Sequence, residues 1–252
     1  MTNLRVSLVQ TDLVWEDPTA NCAALEEKLS DLAGKTDVIV LPEMFATGFS
    51  MTPHGAEIGR GPVLQWMQIQ ANRLGALVVG SLKVKQQNDF FNRLYAVHPD
   101  GTFTSYDKRH LFRMGGEHEF YQSGDQQVIV SYKGWNIALF VCYDLRFPVW
   151  SRNVGLAYDA AIYVANWPQK RVLHWSTLLQ ARAIENQCFV VGVNRIGTDG
   201  NNLVYSGASA IYDGLGETKL LMNDQENTST VTLSYESMQN WRLSLPFLKD
   251  RK

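Results

Sequence analysis

Long hydrophobic runs are missing from this sequence: the longest, such as residues 137–142, are far too short to cross a bilayer. The first residues, MTNLRVSLVQTDLVW, carry no apolar core of signal-peptide length and turn polar at once. The expectation is a soluble protein of the cytoplasm with no membrane partner. Cysteine is scarce and odd in number: Cys22, Cys142 and Cys188 read as free thiols rather than a disulfide framework. Basic runs are absent beyond Lys108-Arg109-His110. With a net charge of -2 and a pI near 6.2, the chain offers nucleic acid no evident surface. No HExxH, paired CxxC or DxD loop nominates a metal. No GxxxxGK[ST] loop, and no GxGxxG after a strand, nominates a nucleotide. Repeats, low-complexity tracts and Pro/Ser-rich linkers are also lacking, so residues 1–252 read as one domain.

What is present is an alternation of short strands and helices that gives way to hairpins. Residues 5–10 read as a first strand. Asp17-Pro18 supplies an N-cap with proline at N1, and Cys22, Leu25, Leu29 and Leu32 follow at helical spacing up to Gly34. Residues 37–41 form a buried strand. A helix runs from Gly61-Pro62 to Gly75, and residues 76–82 form another strand. Hairpins follow at 93–106, around Pro99-Asp100-Gly101, and at 128–141, around Lys133-Gly134. Residues 160–165 are a strand, 174–186 a helix and 187–193 a strand. A hairpin over 209–221, a strand over 228–233 and an amphipathic tail close the chain. About a dozen strands and about four helices result. A mixed sheet, or two stacked sheets with helices outside, fits this order better than a Rossmann arrangement.

Three chemically complementary residues stand at strand exits, where sheet proteins gather their ligands. Glu43 follows the 37–41 strand and Pro42, which cannot donate to a ladder. Lys108 closes a hairpin strand, and Cys142 ends the 135–141 strand. A carboxylate could take the thiol proton during attack, and a lysine could hold the developing oxyanion. Backbone amides from Tyr143 onward could share that task. Each residue alone has a plainer reading: a strand-end cysteine is usually core, and a lone Glu or Lys is usually a solvated charge. Cys22 and Cys188 read as core. A papain-like site would need a histidine base, and His54, His98, His110, His118 and His174 show no spacing that nominates one. A metal site could draw only on His110, Glu117, His118 and Glu119.

The stretches around these residues resemble the nitrilase superfamily of carbon–nitrogen hydrolases. They are Leu41-Pro42-Glu43-Met44-Phe45, Tyr106-Asp107-Lys108-Arg109-His110-Leu111-Phe112 and Val141-Cys142-Tyr143-Asp144-Leu145-Arg146-Phe147-Pro148. Ala165-Asn166-Trp167-Pro168 and the run from His174-Trp175 to Gln187 agree, in the family's order and over nearly the whole chain. The resemblance implies an αββα four-layer sandwich, usually paired into a homodimer or higher homo-oligomer. It implies a Glu-Lys-Cys triad at Glu43, Lys108 and Cys142. It also implies a second glutamate before a small-residue turn; counting back from Gly124, the spacing favours Glu117 over Glu119. No cofactor or metal is implied, and activity should survive chelator.

Within the superfamily, the runs 108–114, Glu117-His118 and 142–153 resemble the bacterial omega-amidases. These hydrolyse 2-oxoglutaramate and 2-oxosuccinamate to the 2-oxo acid and ammonia through a cysteine thioester. Such a substrate needs a cation for its free carboxylate, and Arg113, Arg146, Lys170 and Arg171 lie near the motifs. Arg146 has the plainer alternative of pairing with Asp144 or another carboxylate to brace the turn after Cys142. Phe45 and Trp167 are candidates for pocket walls. Other nitrilase-type substrates (nitriles, N-carbamoyl compounds, simple amides) would use the same triad, and a catalytically idle binding homologue is the reading from another class.

Overall fold

The computed structural model describes residues 2–250. The chain runs β1 (Leu4–Gln10), α1 (Pro18–Leu29), β2 (Val38–Val40), β3 (Glu57–Ile58), α2 (Pro62–Leu74), β4 (Leu77–Gln86), β5 (Asp89–Val97) and β6 (Phe103–Asp107). A short α3 (Glu117–Phe120) leads to β7 (Ile129–Tyr132), β8 (Trp135–Val141), β9 (Ala160–Ala165), α4 (Val172–Asn186) and β10 (Phe189–Asn194). Then come β11 (Ile196–Thr198), β12 (Val204–Ser206), β13 (Ala210–Tyr212), β14 (Thr218–Leu221), β15 (Asn227–Leu233) and α5 (Tyr235–Ser244).

Successive strand residues point to opposite faces, and this divides the core in two. Leu4, Val6 and Leu8 of β1, Val38 and Val40 of β2, and Leu77 and Val79 of β4 pack with the apolar residues of β8, β9 and β10. The residues between them (Val9, Ile39, Val78) pack instead with Leu25 and Leu29 of α1 and with Leu64, Met67 and Ala71 of α2. The first sheet has the order β15-β1-β2-β4-β5-β6, with β3 beside β4; the second has the order β14-β13-β10-β9-β8-β7. Helix α4 covers the outer face of the second sheet through Trp175, Leu179 and Ala183. Its approach demands Gly192 in β10, where a Cβ would meet Leu179 at 2.4 Å. The layers are therefore helix, sheet, sheet, helix: the expected αββα sandwich. Strands 135–141 and 160–165 are buried on both sides, which explains their nearly unbroken apolar sequences.

Local signals worked as the chemistry requires. The Asp17 side chain accepts a hydrogen bond from the Ala20 N–H, with Pro18 opening α1. Gly75 caps α2 in the left-handed conformation at φ 63°. The structure adds what the apolar pattern did not signal. Strand β4 continues to Gln86 and forms a long hairpin with β5. Lys83 there is buried, its ammonium neutralised by Glu16 at 2.7 Å and satisfied by the Thr52 and His54 carbonyls. The β11–β12 hairpin, the short β3 and helix α3 are likewise new, and the amphipathic tail is helix α5, so the described residues hold fifteen strands and five α-helices. Among them, no helix is long and apolar enough to cross a membrane.

Parallel pairing of β2 with β1 and β4, and of β9 with β8 and β10, sets the exits of β2, β8 and β9 at the carboxyl ends of the two sheets. The sheets are also tied at the side by Asp37, which accepts from the Arg5 backbone at 2.8 Å, from both arms of its guanidinium at 3.0 Å, and from Lys133 in the β7–β8 turn. Burial pushes the Asp37 carboxyl up, but the bonds from Arg5 and Lys133 outweigh it and hold the group well below the usual carboxylate range. A depressed carboxylate adds stability above its ordinary pKa, about 4, and loses it as pH falls through the lowered value. Asp37→Asn should therefore cost about 1–3 kcal/mol at neutral pH. Thermal melts should show the gap to wild type closing as pH is lowered below about 4.

Candidate active site

Four strand exits deliver one polar residue each to a single point between the sheets. Glu43 follows β2 and Pro42; the chain turns sharply at Met44, whose φ is 43°. Lys108 follows β6 directly, Asn166 follows β9 and Cys142 follows β8. Cys142 itself adopts φ 44°, a left-handed conformation that costs a residue with a Cβ roughly 1–2 kcal/mol. This turn lifts the thiol out of the sheet and starts a tight helical turn over Cys142–Arg146. The first amides of such a turn, Tyr143's among them, have no carbonyl of their own turn to bond.

The Lys108 ammonium is fully buried between two fully buried carboxylates. It donates to Glu43 Oε1 at 2.9 Å and to Glu117 Oε1 and Oε2 at 3.0 and 2.9 Å. Asn92 of β5 bridges the same carboxylates, donating to Glu43 at 2.8 Å and Glu117 at 3.2 Å. The Asn166 N–H donates to Glu43 Oε2 at 2.9 Å, and the Phe112 N–H to Glu117 Oε2 at 2.6 Å. The ammonium also faces the Phe49 ring at 4.9 Å. Burial alone would lower the Lys108 pKa, but Glu117 and Glu43 raise it by more, so the lysine stays charged. Burial is also the main reason that Glu117 sits above its ordinary carboxyl range. Glu119, the alternative by spacing, is exposed. The turn used to choose between them has a physical basis: Gly124 donates its N–H to the Lys108 carbonyl, and a Cβ there would strike the Asp107 carbonyl at 2.2 Å.

Cys142 sits beside this cluster, 9% exposed. Burial, then the Glu43 charge and its hydrogen bond to the thiol, push its pKa well above the ordinary value, with Lys108 opposing. The resting sulfur is a thiol, so attack requires a base at the moment of reaction. The thiol itself donates to the Asn166 carbonyl at 3.9 Å, and Glu43, whose charge raises the thiol pKa, is the candidate base.

Above the thiol opens a cavity of about 110 Å³, walled by Phe49, Phe112, Tyr143 and Trp167. Two of the four candidate cations line it. The Arg146 guanidinium lies over the Trp167 ring at 4.8 Å and contacts His174 Nδ1 at 3.1 Å; Arg171 lies over the Phe112 ring at 5.6 Å. Arg146 does not pair with Asp144, whose partners are Tyr106, Val141 and His110. Arg113 and Lys170 are exposed and lie outside the wall. Phe45 also misses the pocket: it is fully buried on the helix side of the first sheet, 5.8 Å from Trp66, because the turn at Met44 sends it outward. Trp167 lines the cavity and anchors its indole N–H on the Arg171 carbonyl at 2.8 Å.

Among the described residues, no three His, Cys, Asp or Glu side chains gather to hold a metal. Sequence reasoning missed Asn92 and left Asn166 without a role. An asparagine amid the apolar alternation of β5 was the signal for the first. The position of Asn166 at the exit of a wholly apolar strand was the signal for the second.

The carbon-nitrogen hydrolase family model matches residues 5–243. The chain belongs to the carbon-nitrogen hydrolase family. This hydrolase is 44% identical to the omega-amidase YafV of Escherichia coli K12 over 251 residues, 99% of this chain and 97% of that one. It is 30% identical to the 2-oxoglutaramate amidase of Bacillus subtilis strain 168, over 97% of this chain and 96% of that one. It is 44% identical to XC1258 of Xanthomonas campestris, a superfamily member whose crystal structure carries an arsenic adduct in its active site. That match has a TM-score of 0.98 and covers 100% of this chain and 98% of the other. The two-sheet fold is that of the nitrilase superfamily.

The charge balance around the thiol is open to a direct check. In Glu43→Gln, the two influences of Glu43 that hold Cys142 up disappear and Lys108 remains. The pH profile of Cys142 alkylation by iodoacetamide, read by peptide mass spectrometry, should move to lower pH. A profile that stays put, or moves up, would show that Glu43 does not set the thiol's acidity.

Proposed function

We propose that this hydrolase is an omega-amidase. It removes the side-chain amide of 2-oxo dicarboxylate monoamides such as 2-oxoglutaramate and 2-oxosuccinamate, releasing ammonia and the 2-oxo acid. One observation carries the reading: a buried Glu43–Lys108–Glu117 cluster beside Cys142, at the base of a small aromatic pocket bearing two arginines with no carboxylate partner among the described residues. The names of its relatives support the same substrate class.

In this mechanism Glu43 takes the thiol proton as Cys142 Sγ attacks the amide carbon. The carbonyl electrons move onto oxygen, and Lys108 and the Tyr143 N–H hold the oxyanion. Glu117 grips Lys108 through both oxygens, so one ammonium N–H can turn to the oxyanion while the ion pair persists. The intermediate collapses by breaking the C–N bond, and Glu43 passes its proton to the leaving nitrogen. The acyl group is now a thioester on Cys142. Water then attacks the thioester while Glu43 accepts its proton; the thiolate leaves and takes that proton back. Each oxyanion donor should be worth on the order of a hundred- to a thousandfold in turnover.

Arg146 and Arg171 hold the distal carboxylate of the substrate. Asp199, among the described residues the one carboxylate on the pocket wall, accepts from the Asn201 and Leu203 N–H groups and the Tyr205 hydroxyl. Among the described residues the pocket wall thus offers an α-ammonium group no carboxylate free of other hydrogen bonds, which favours a 2-oxo over a 2-amino substrate. A homodimer in the cytoplasm completes the proposal. Val149, Val154 and Leu173, each at least 70% exposed, offer apolar surface for a second copy, and all three cysteines are free.

Ammonia release from 2-oxoglutaramate, with chelator present and with glutamine and a simple nitrile as controls, tests the reading. Wild type should turn over the oxo-amide best, and Cys142→Ala should leave almost nothing. Release by both proteins would refute the nucleophile, and release only from a control would refute the substrate. Replacing Arg146 or Arg171 with Met should raise KM for the oxo-amide on the order of tenfold or more, with a smaller change in kcat. Unchanged KM in both variants would place carboxylate recognition elsewhere.

A further inference from the structure

Asp144 is fully buried, two residues after the cysteine, and touches neither the cavity nor Lys108's ion pairs. Its carboxylate receives four hydrogen bonds, as many as its two oxygens have lone pairs. Oδ2 accepts from the Tyr106 hydroxyl at 2.7 Å and the Val141 N–H at 3.0 Å. Oδ1 accepts from the His110 N–H at 2.9 Å and from His110 Nδ1 at 2.8 Å. An ionised carboxylate only accepts, so Nδ1 carries the proton. The ring is further fixed by stacking on Phe147, with centroids 3.8 Å apart and planes 8° from parallel.

The donors are placed tellingly in the chain. Tyr106 and His110 stand two residues before and two residues after Lys108, at the exit of β6 in the first sheet. Val141 and Asp144 bracket Cys142, at the exit of β8 in the second. One carboxylate therefore clasps the segments on both sides of the lysine, through the Tyr106 hydroxyl and the His110 backbone and ring, to the segment that holds the thiol. The two sheets share no strand pairing, so their register at this point rests on side-chain contacts: this carboxylate and the Asn166 bonds to Glu43.

We propose that Asp144 is a positioning residue, a latch between the two sheets that sets where Lys108 stands relative to Cys142, with His110 as its adjustable arm. The proposal rests on the reading that Lys108 and Cys142 perform the chemistry. An asparagine cannot replace the aspartate: its amide nitrogen would meet two N–H or O–H donors where two acceptors' worth of lone pairs stood.

The test uses the full chain with Asp144→Asn, His110→Ala and His110→Asn, assayed on 2-oxoglutaramate beside wild type and Cys142→Ala. A displacement near 1 Å at a reacting pair costs on the order of a hundredfold. Asp144→Asn should lose about that much kcat, keep its KM within a few-fold, and still melt cooperatively. His110→Ala should lose kcat too, and His110→Asn, whose amide can donate to Oδ1, should recover most of it. Alkylation of Cys142 at fixed pH should slow in His110→Ala, where Lys108 no longer stands close, and recover in His110→Asn. A folded Asp144→Asn with wild-type kcat, a loss confined to KM, or equal effects of the two His110 variants would overturn the latch. Should Asp144→Asn fail to fold, the His110 pair decides. An inactive wild type would refute the omega-amidase reading instead, and the substrate-free alkylation rates would still report on the latch.

Discussion

A single ammonium group buried between two carboxylates organises this molecule. Removing a charge from water costs several kcal/mol, and only close opposite charges with complete hydrogen bonding repay it. Lys108 meets that condition because Glu43, Glu117 and Asn92 arrive from three different segments, and the Asn166 and Phe112 amides fill the remaining positions. Any error in stacking the two sheets would leave part of this set unpaired. The arrangement therefore penalises misregistered packings strongly, and the same penalty keeps the reacting groups in place. Stability and chemistry draw on one set of contacts.

The electrostatics are layered with depth. At the base, two carboxylates outnumber one ammonium, and burial together with this excess pushes the thiol pKa up. At the wall, Arg146 and Arg171 supply positive charge spread over aromatic faces. Under the proposed function, an anionic substrate is drawn by the wall while its neutral amide end fits the base. The orientation of the substrate follows from the order of charges along the pocket.

Much of this was legible in the sequence because strand-exit chemistry is local. A buried apolar run ended by Pro42-Glu43, or by Cys142, names its own exit, and the motif order around Lys108 supplied the rest. The four-layer stacking came from the resemblance; strand periodicity alone was compatible with it. What sequence could not yield were choices made by distant packing. Asn92 and Lys83 look like breaks in strand patterns until their partners, far away in the chain, are known. Phe45 and Arg113 stood near the motifs in sequence, but the left-handed turn at Met44 and the exposed turn after Phe112 point them elsewhere. Arg146 and Arg171 were indistinguishable from their neighbours until the aromatic rings beneath them were placed.

The left-handed turn at Cys142 places a buried thiol at the floor of the cavity, and its raised pKa has a consequence for durability. Oxidants attack thiolates far faster than thiols. In the proposed mechanism the sulfur becomes anionic only while a substrate carbonyl is within bonding distance, so peroxide meets almost no thiolate between turnovers. Burial and the surplus negative charge, which together call for a proton-accepting glutamate, thereby also disfavour the thiolate that oxidants attack.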